Sequence, residues 1–246
     1  MKPLHLPVSR TARYFLLGQQ PAGELVLGLH GHAQLAARFL RLLAPLWALF
    51  QGPRAAGAAL VVATIALAAA RASGQTLVVA PEALSRFYLE TRLNGQHGPA
   101  IGATWLTREH READLQDHFA YLDRLLAHLL AGQPARPRVS LLGFSQGAVL
   151  ASRWLAAGGR RVDRVILWGV PLAHDLPLDG FVAGLAGAPV QLIAGDDDAY
   201  APAGTIEADA ARLADAGAAV TARRFGGGHT LPPAVLLAAL GRPAGP

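Results

Sequence analysis

Along this chain apolar residues come in short dense runs separated by turn residues, and longer stretches with helical spacing lie between them. Residues 13–17 (RYFLL) and 24–29 (ELVLGL) flank the turn-forming GQQPAG, which predicts a hairpin or two neighbouring strands. From there the pattern alternates. Residues 33–49 read as a helix interrupted near Pro45, residues 76–80 (TLVVA) as a buried strand stopped by Pro81, and residues 107–131 as a long amphipathic helix. Thr107 is the predicted cap of that helix, with Arg108, Glu109 and His110 in its first turn. A strand at 138–144, a helix at 146–157 ending at Gly158-Gly159, and a strand at 164–169 follow. The series closes with a strand at 189–195, a helix at 206–216, a strand at 218–225 and a helix at 233–240. Repeated strand and helix alternation predicts an α/β fold, with a mostly parallel central sheet covered by helices on both faces.

Composition narrows the classes. A chain of 246 residues with 52% hydrophobic and 16% charged residues is long and apolar enough to fold as one globular domain, residues 1–246. It contains no cysteine, so disulfides and thiol chemistry are excluded and reactivity falls to Ser, His, Asp or Glu. The formal charge of +5 comes from arginines spread along the chain, with Lys2 the only lysine. Without aromatics interleaved among them, these arginines do not make a nucleic-acid groove. The amino-terminal MKPLHLPVSRTARYF has no apolar core of the secretory kind, which gives a cytoplasmic expectation. Residues 54–75 stand apart. The sixteen uncharged residues between Arg54 and Arg71 would span about 24 Å as a helix. That is short of the roughly 30 Å hydrocarbon core, so a buried or partner-packed apolar insertion is favoured over membrane association.

The candidate chemistry lies in LLGFSQGAVL. Ser145 sits between Gly143 and Gly147, as G-x-S-x-G, at the carboxyl end of an apolar strand and immediately before a helix. Small residues on either side allow the sharp turn that exposes a hydroxyl, and the helix start aims backbone N–H groups at developing negative charge. A serine nucleophile needs a base, and the base needs an acid to orient it. LIAGDDDAYAP supplies Asp198 after one later strand, beside Asp196 and Asp197, and RRFGGGHTLPP supplies His229 after the last. LVLGLHGHA carries His30-Gly31 at the end of an early strand, where a second oxyanion-hole N–H is expected. A cation loop at the three aspartates lacks the EF-hand alternation and its terminal glutamate, and a metal at His30 and His32 would need a third ligand; no metal and no cofactor is expected.

LHGHA, GFSQGA, Gly195-x-x-Asp198-x-x-x-Pro202 and GGGHT together resemble serine esterases of the α/β-hydrolase fold. The resemblance is to the phospholipase/carboxylesterase group that includes acyl-protein thioesterases, and it runs from about Leu25 to Leu240. PEALSRFY and GATWLTREHR look like segments of a bacterial esterase subgroup. The chain departs from the pattern in the insertion-like stretch and at Ala201, where a larger apolar residue is usual. The resemblance implies Ser145 as nucleophile, His229 as base and Asp198, by its spacing from Gly195, as acid. It implies the backbone N–H groups of His32 and Gln146 as the oxyanion hole, with the two side chains incidental. Phe87, Tyr88 and Trp105 are candidates for an acyl pocket or for core aromatics; the remaining histidines, His118 among them, are placed on loops and helix surfaces. The implied activity is hydrolysis of small to medium acyl esters through an acyl-serine, by a monomer or homodimer acting on a small-molecule ester. Acyl-thioesterase or lysophospholipase activity is the alternative, and a non-catalytic binding protein or a membrane-associated partner are the readings from other classes.

Overall fold

Every strand at the centre of the molecule is apolar on both sides, because both faces of its sheet are covered. The computed structural model describes residues 4, 6, 8–48, 76–90, 95–131 and 133–241, and the apolar stretch at 54–71 lies outside them. The strands are β1 (Tyr14–Leu17), β2 (Glu24–Leu29), β3 (Thr76–Pro81), β4 (Ser85–Tyr88), β5 (Ile101–Thr104), β6 (Arg138–Phe144), β7 (Arg164–Trp168), β8 (Val190–Gly195) and β9 (Val220–Phe225). Seven of them form one sheet in the order β1-β3-β2-β6-β7-β8-β9, parallel except for β1, and β4 and β5 form a separate antiparallel pair. Among the described residues the helices are α1 (Ala36–Ala48), α2 (Arg111–Ala131), α3 (Gln146–Ala156), α4 (Leu178–Leu185), α5 (Thr205–Asp215) and α6 (Pro233–Ala239).

Alternate residues of each strand feed two cores. Leu25, Leu27, Leu29, Val139, Leu141, Val165, Leu167, Val190 and Leu192 pack with α2, α3, α4 and α5. Val26, Val78, Leu142, Phe144, Ile166, Trp168 and Ile193 pack with α1 and α6 on the opposite face. The chain leaves β2 toward β3 on one side of the sheet and leaves β6 toward β7 on the other. The carboxyl ends of β2 and β6 therefore flank a topological switch point, the crevice where open α/β sheets bind ligands.

Several local expectations are corrected. β1 does not pair with β2; it pairs with β3, which lies between them. β3 is buried along its whole length and takes a partner on each side, whereas the half-exposed β1 suits the edge. Helix α1 runs through Pro45. Its apolar face of Ala36, Phe39, Leu40 and Leu43 is buried, and burial at about 1.5–3 kcal/mol per large side chain outweighs the roughly 3 kcal/mol that an interior proline costs. Helix α2 starts at Arg111, not at Thr107. His110 has a positive φ of 50°, and Thr107 donates its hydroxyl to Glu109 O and its N–H to Asp114 Oδ2, at 2.8 and 3.0 Å. Residues 107–110 thus make a turn before the helix rather than its cap.

His118, expected on the surface, is buried on α2, and it shares a task with buried His30. His30 Nδ1–H donates to Gly31 O at 2.7 Å and its Nε2 accepts the Ala83 N–H at 3.1 Å. His118 Nδ1–H donates to Asp114 O at 2.6 Å and its Nε2 accepts the Leu84 N–H at 3.0 Å. Two neutral rings thus hold consecutive amides of the loop after β3. Glu82 anchors the same loop by accepting from Arg13 and from the Ala36 N–H at the start of α1. Burial drives the His30 pKa down to about 4, against weaker raising effects from Gly31 O and Glu82. Burial likewise lowers that of His118.

A proton on either Nε2 would abolish its acceptor. Because the folded pKa lies below the unfolded one, the unfolded chain takes up the proton first as pH falls. His30 stability is therefore fully present above about pH 6.5 and is lost as pH falls to about 4; the interval corresponds to on the order of 3 kcal/mol. Urea unfolding midpoints at pH 7.5 and pH 4.5 are expected to differ in that direction. The difference should shrink in His30→Gln, whose amide does not titrate, and an undiminished difference would remove His30 as its source.

Candidate active site

Strand β6 is the middle strand of the sheet, and Ser145 follows its last residue. Ser145 adopts φ 53° and ψ −122°, a backbone conformation that a residue with a Cβ rarely takes. Three bonds fix it there: its N–H donates to Trp168 O at 2.7 Å, and its carbonyl accepts from Ala148 and Val149 at 2.8 and 3.4 Å. The flanking glycines are demanded by contact. A Cβ at Gly143 would lie 2.5 Å from the Ala148 Cα, and one at Gly147 would lie 2.2 Å from Leu29 O. Strand β6 and helix α3 therefore meet at a bend packed directly on the end of β2. The loop after β2 is equally near, since a Cβ at Gly31 would be 3.2 Å from the Ser145 Cβ.

Asp198 and His229 arrive from the ends of β8 and β9. Asp198 Oδ2 accepts from His229 Nδ1 at 2.8 Å; the Asp198 side chain is fully buried and the His229 side chain is 23% exposed. Asp196 and Asp197 are both exposed. Their N–H groups donate to Phe225 O and Gly227 O, which zips the acid loop to the histidine loop. The approach requires Gly195, where a Cβ would lie 2.1 Å from Gly227 O. The second Asp198 oxygen accepts the Tyr200 N–H at 2.9 Å. The His229 ring packs against two aromatics, Phe144 and Tyr200, each with its centroid 4.7 Å away. Phe144 directly precedes Ser145, so serine and histidine share a neighbour, and Gly169 also packs on the ring, with a would-be Cβ 2.8 Å from His229 Cε1.

Gln146 is the first residue of α3, where a backbone N–H has no acceptor within the helix. His32 lies in the loop after β2, with its ring stacked on Phe87 at 5.4 Å. Tyr88 is half exposed and stacks on His97 at 4.1 Å. Trp105 has the place of a core aromatic. It is fully buried between His30 and His118, at 4.7 and 5.1 Å, and its indole N–H donates to His30 O at 2.7 Å. Both nitrogens of His30 are engaged, so it has no lone pair to offer a metal. Among the described residues no cluster of three or more His, Asp or Glu side chains could hold a metal ion, and no helix is long and apolar enough to cross a membrane.

Two contributors escaped the sequence. The Gln146 side chain is bonded through both amide atoms: Oε1 accepts the Trp105 N–H at 2.9 Å and Nε2 donates to Leu106 O at 2.8 Å. Arg224 on β9 gathers the acid loop, donating to Gly195 O, Ala201 O and Pro202 O at 2.9, 3.1 and 2.7 Å while paired with Glu207. The arginine holds the Glu207 carboxyl below its ordinary pKa. The only sequence signal for this was an arginine at an inward position of a strand.

No protein-family model and no curated protein sequence matches this chain. Solved structures do. The crystal structure of esterase PE8 superposes with a TM-score of 0.63 at 23% identity, over 94% of this chain and 98% of that one. A phospholipase/carboxylesterase from Dyadobacter fermentans matches at 0.57 and 18%, over 94% and 96%. Acyl-protein thioesterase 2 of Zea mays matches at 0.59 and 16%, over 94% and 97%. With its central parallel sheet, strand order and covering helices, this chain has the α/β-hydrolase fold.

Gly147→Ala tests the bend. The new methyl collides with backbone rather than with a yielding side chain, so a loss of at least about 1–3 kcal/mol in denaturant unfolding is expected. An unchanged midpoint would show that α3 can move off β2.

Proposed function

We propose that this chain is a serine hydrolase that cleaves carboxylic esters of small to medium acyl groups through an acyl-serine intermediate. The observation that carries the reading is Ser145, held at φ 53° on a glycine-flanked turn at the switch point, whose preceding residue Phe144 packs its ring against a histidine bonded to a buried aspartate. A carboxylate oxygen accepts, so His229 Nδ1 carries the hydrogen and Nε2 presents a lone pair. In this reading Nε2 removes the Ser145 proton as Oγ attacks the ester carbonyl carbon. The backbone N–H groups of Gln146 and His32 take the oxyanion charge. Collapse of the tetrahedral intermediate releases the alcohol with the proton from Nε2, and water repeats the sequence on the acyl-serine.

Asp198 holds the His229 ring in the required tautomer and stabilises the imidazolium that forms. The neighbours named esterase, phospholipase/carboxylesterase and acyl-protein thioesterase support ester hydrolysis as the reaction class. The aromatic rings of Tyr200 beside His229 and of Phe87 beside His32 support a substrate with an apolar portion.

Ser145→Ala is expected to abolish fluorophosphonate labelling and to lower p-nitrophenyl butyrate turnover by about 10⁴-fold or more. Labelling that persists at another serine would overturn the proposal. Among the three aspartates, Asp198→Asn is expected to cost kcat about 10⁴-fold. The exposed Asp196 and Asp197 should tolerate the same change with only small effects, and a larger loss at Asp197 than at Asp198 would reassign the acid.

A further inference from the structure

The two proposed oxyanion donors belong to segments far apart in the sequence, and both are fastened to the end of one short strand. The Ala33 N–H donates to Ala103 O at 2.9 Å, the Ala103 N–H donates to Gln34 O at 3.2 Å, and the Trp105 indole donates to His30 O. These contacts hold the loop after β2, in which Ala33 has a positive φ of 62°. The Gln146 side chain grips the next three residues of the same strand end through Thr104, the Trp105 N–H and Leu106 O. The β4–β5 hairpin is thus a jig with one clamp on the His32 loop and another on the start of α3.

The clamps meet at the Thr104 hydroxyl. Thr104 is buried, at 5% exposure. Its Oγ1 lies 3.3 Å from His32 Nδ1, 3.0 Å from Gln146 Oε1 and 2.9 Å from Leu106 O. A hydroxyl donates one hydrogen and accepts through its lone pairs. His32 Nδ1–H can therefore donate to Thr104 Oγ1 while the Thr104 hydrogen goes to Gln146 Oε1 or Leu106 O. With that hydrogen on Gln146 Oε1, one side-chain oxygen bonds both residues whose backbone N–H groups are assigned to the hole.

We propose that Thr104 is a positioning residue that sets the separation and direction of the two oxyanion donors, acting through the side chains of His32 and Gln146. The proposal rests on the serine-hydrolase reading above. It requires those side chains to matter, whereas the resemblance implied only their backbone. Oxyanion stabilisation depends on where the donors stand in the transition state, so their misplacement should lower kcat and leave ground-state binding alone.

The test compares Thr104→Val, which keeps the shape without the hydroxyl, with Thr104→Ser, which keeps the hydroxyl. For Thr104→Val, kcat on p-nitrophenyl butyrate should fall about tenfold or more, with KM within about twofold of the parent. Affinity for a trifluoromethyl ketone, whose serine adduct places an oxyanion in the hole, should fall in parallel, while inhibition by butyrate should not change. Thr104→Ser should recover most of the loss in both readouts. A Val variant with parental kcat, a Ser variant no better than Val, or equal weakening of ketone and butyrate would overturn the proposal. If Thr104→Val does not fold, Thr104→Ala replaces it against the same Ser control. Ser145→Ala keeps the two levels separate: turnover surviving in that variant refutes the hydrolase reading, whereas its loss together with a silent Thr104→Val refutes only the role of Thr104.

Discussion

The architecture around the crevice hangs on one close approach, that of Gly147 to the carbonyl end of β2. A single methyl there would occupy the space of Leu29 O, so the first turn of α3 and the last residue of β2 share one fixed position. That contact compels Ser145 into its positive φ, since the chain must leave β6 and enter α3 within one residue. It also brings the loop at Gly31 against the Ser145 Cβ. Backbone strain at one residue persists because neighbours on several sides determine it. Here those neighbours are β2, β7 through Trp168 O, and α3 itself.

The second half of the crevice is assembled on a different principle. The acid and histidine loops carry little apolar surface of their own and are joined by backbone bonds, glycine contacts and the Arg224 fork. Two aromatic rings, those of Phe144 and Tyr200, then pack against the His229 ring. The Ser145 side is held by steric exclusion; the Asp198 and His229 side is held by hydrogen bonding. Only the latter depends on arginine charge, and Glu207 shares that charge from the edge of the loop.

Much of this was legible in the residues. β2, β6, β7 and β8 read as strands because burial on both faces leaves them uninterrupted apolar runs, and G-x-S-x-G announces its bend through residue size alone. The separation of Asp198 from Asp196 and Asp197 was visible only through its spacing from Gly195, and the difference in burial among the three needed coordinates. The β4–β5 hairpin was not legible. SRFY and IGAT are four-residue strands separated by residues 89–100, so the Asn94-Gly95 turn signal does not directly join two apolar runs, and their pairing is a long-range choice. The tasks of Gln146, Thr104 and His118 escaped for a related reason: their partners lie tens of residues away, and a polar side chain in a sequence does not disclose a buried acceptor. The pairing of β1 with β3 likewise depended on which strand needed covering on both sides.

The strand order carries a consequence for how the molecule is made. From β6 outward the sheet grows in chain order, β6, β7, β8, β9, so each strand docks on one already synthesised. The serine bend can form as soon as α3 closes on β2. Its aspartate follows two strands later, and its histidine arrives only when β9, the edge strand, has paired with β8. A nascent chain emerging in order therefore adds residues 157–229 with the turn of the proposed nucleophile able to form and the proposed base not yet in place. Under the proposed mechanism, chemical competence is the last property acquired, and it arrives with the docking of one exposed strand.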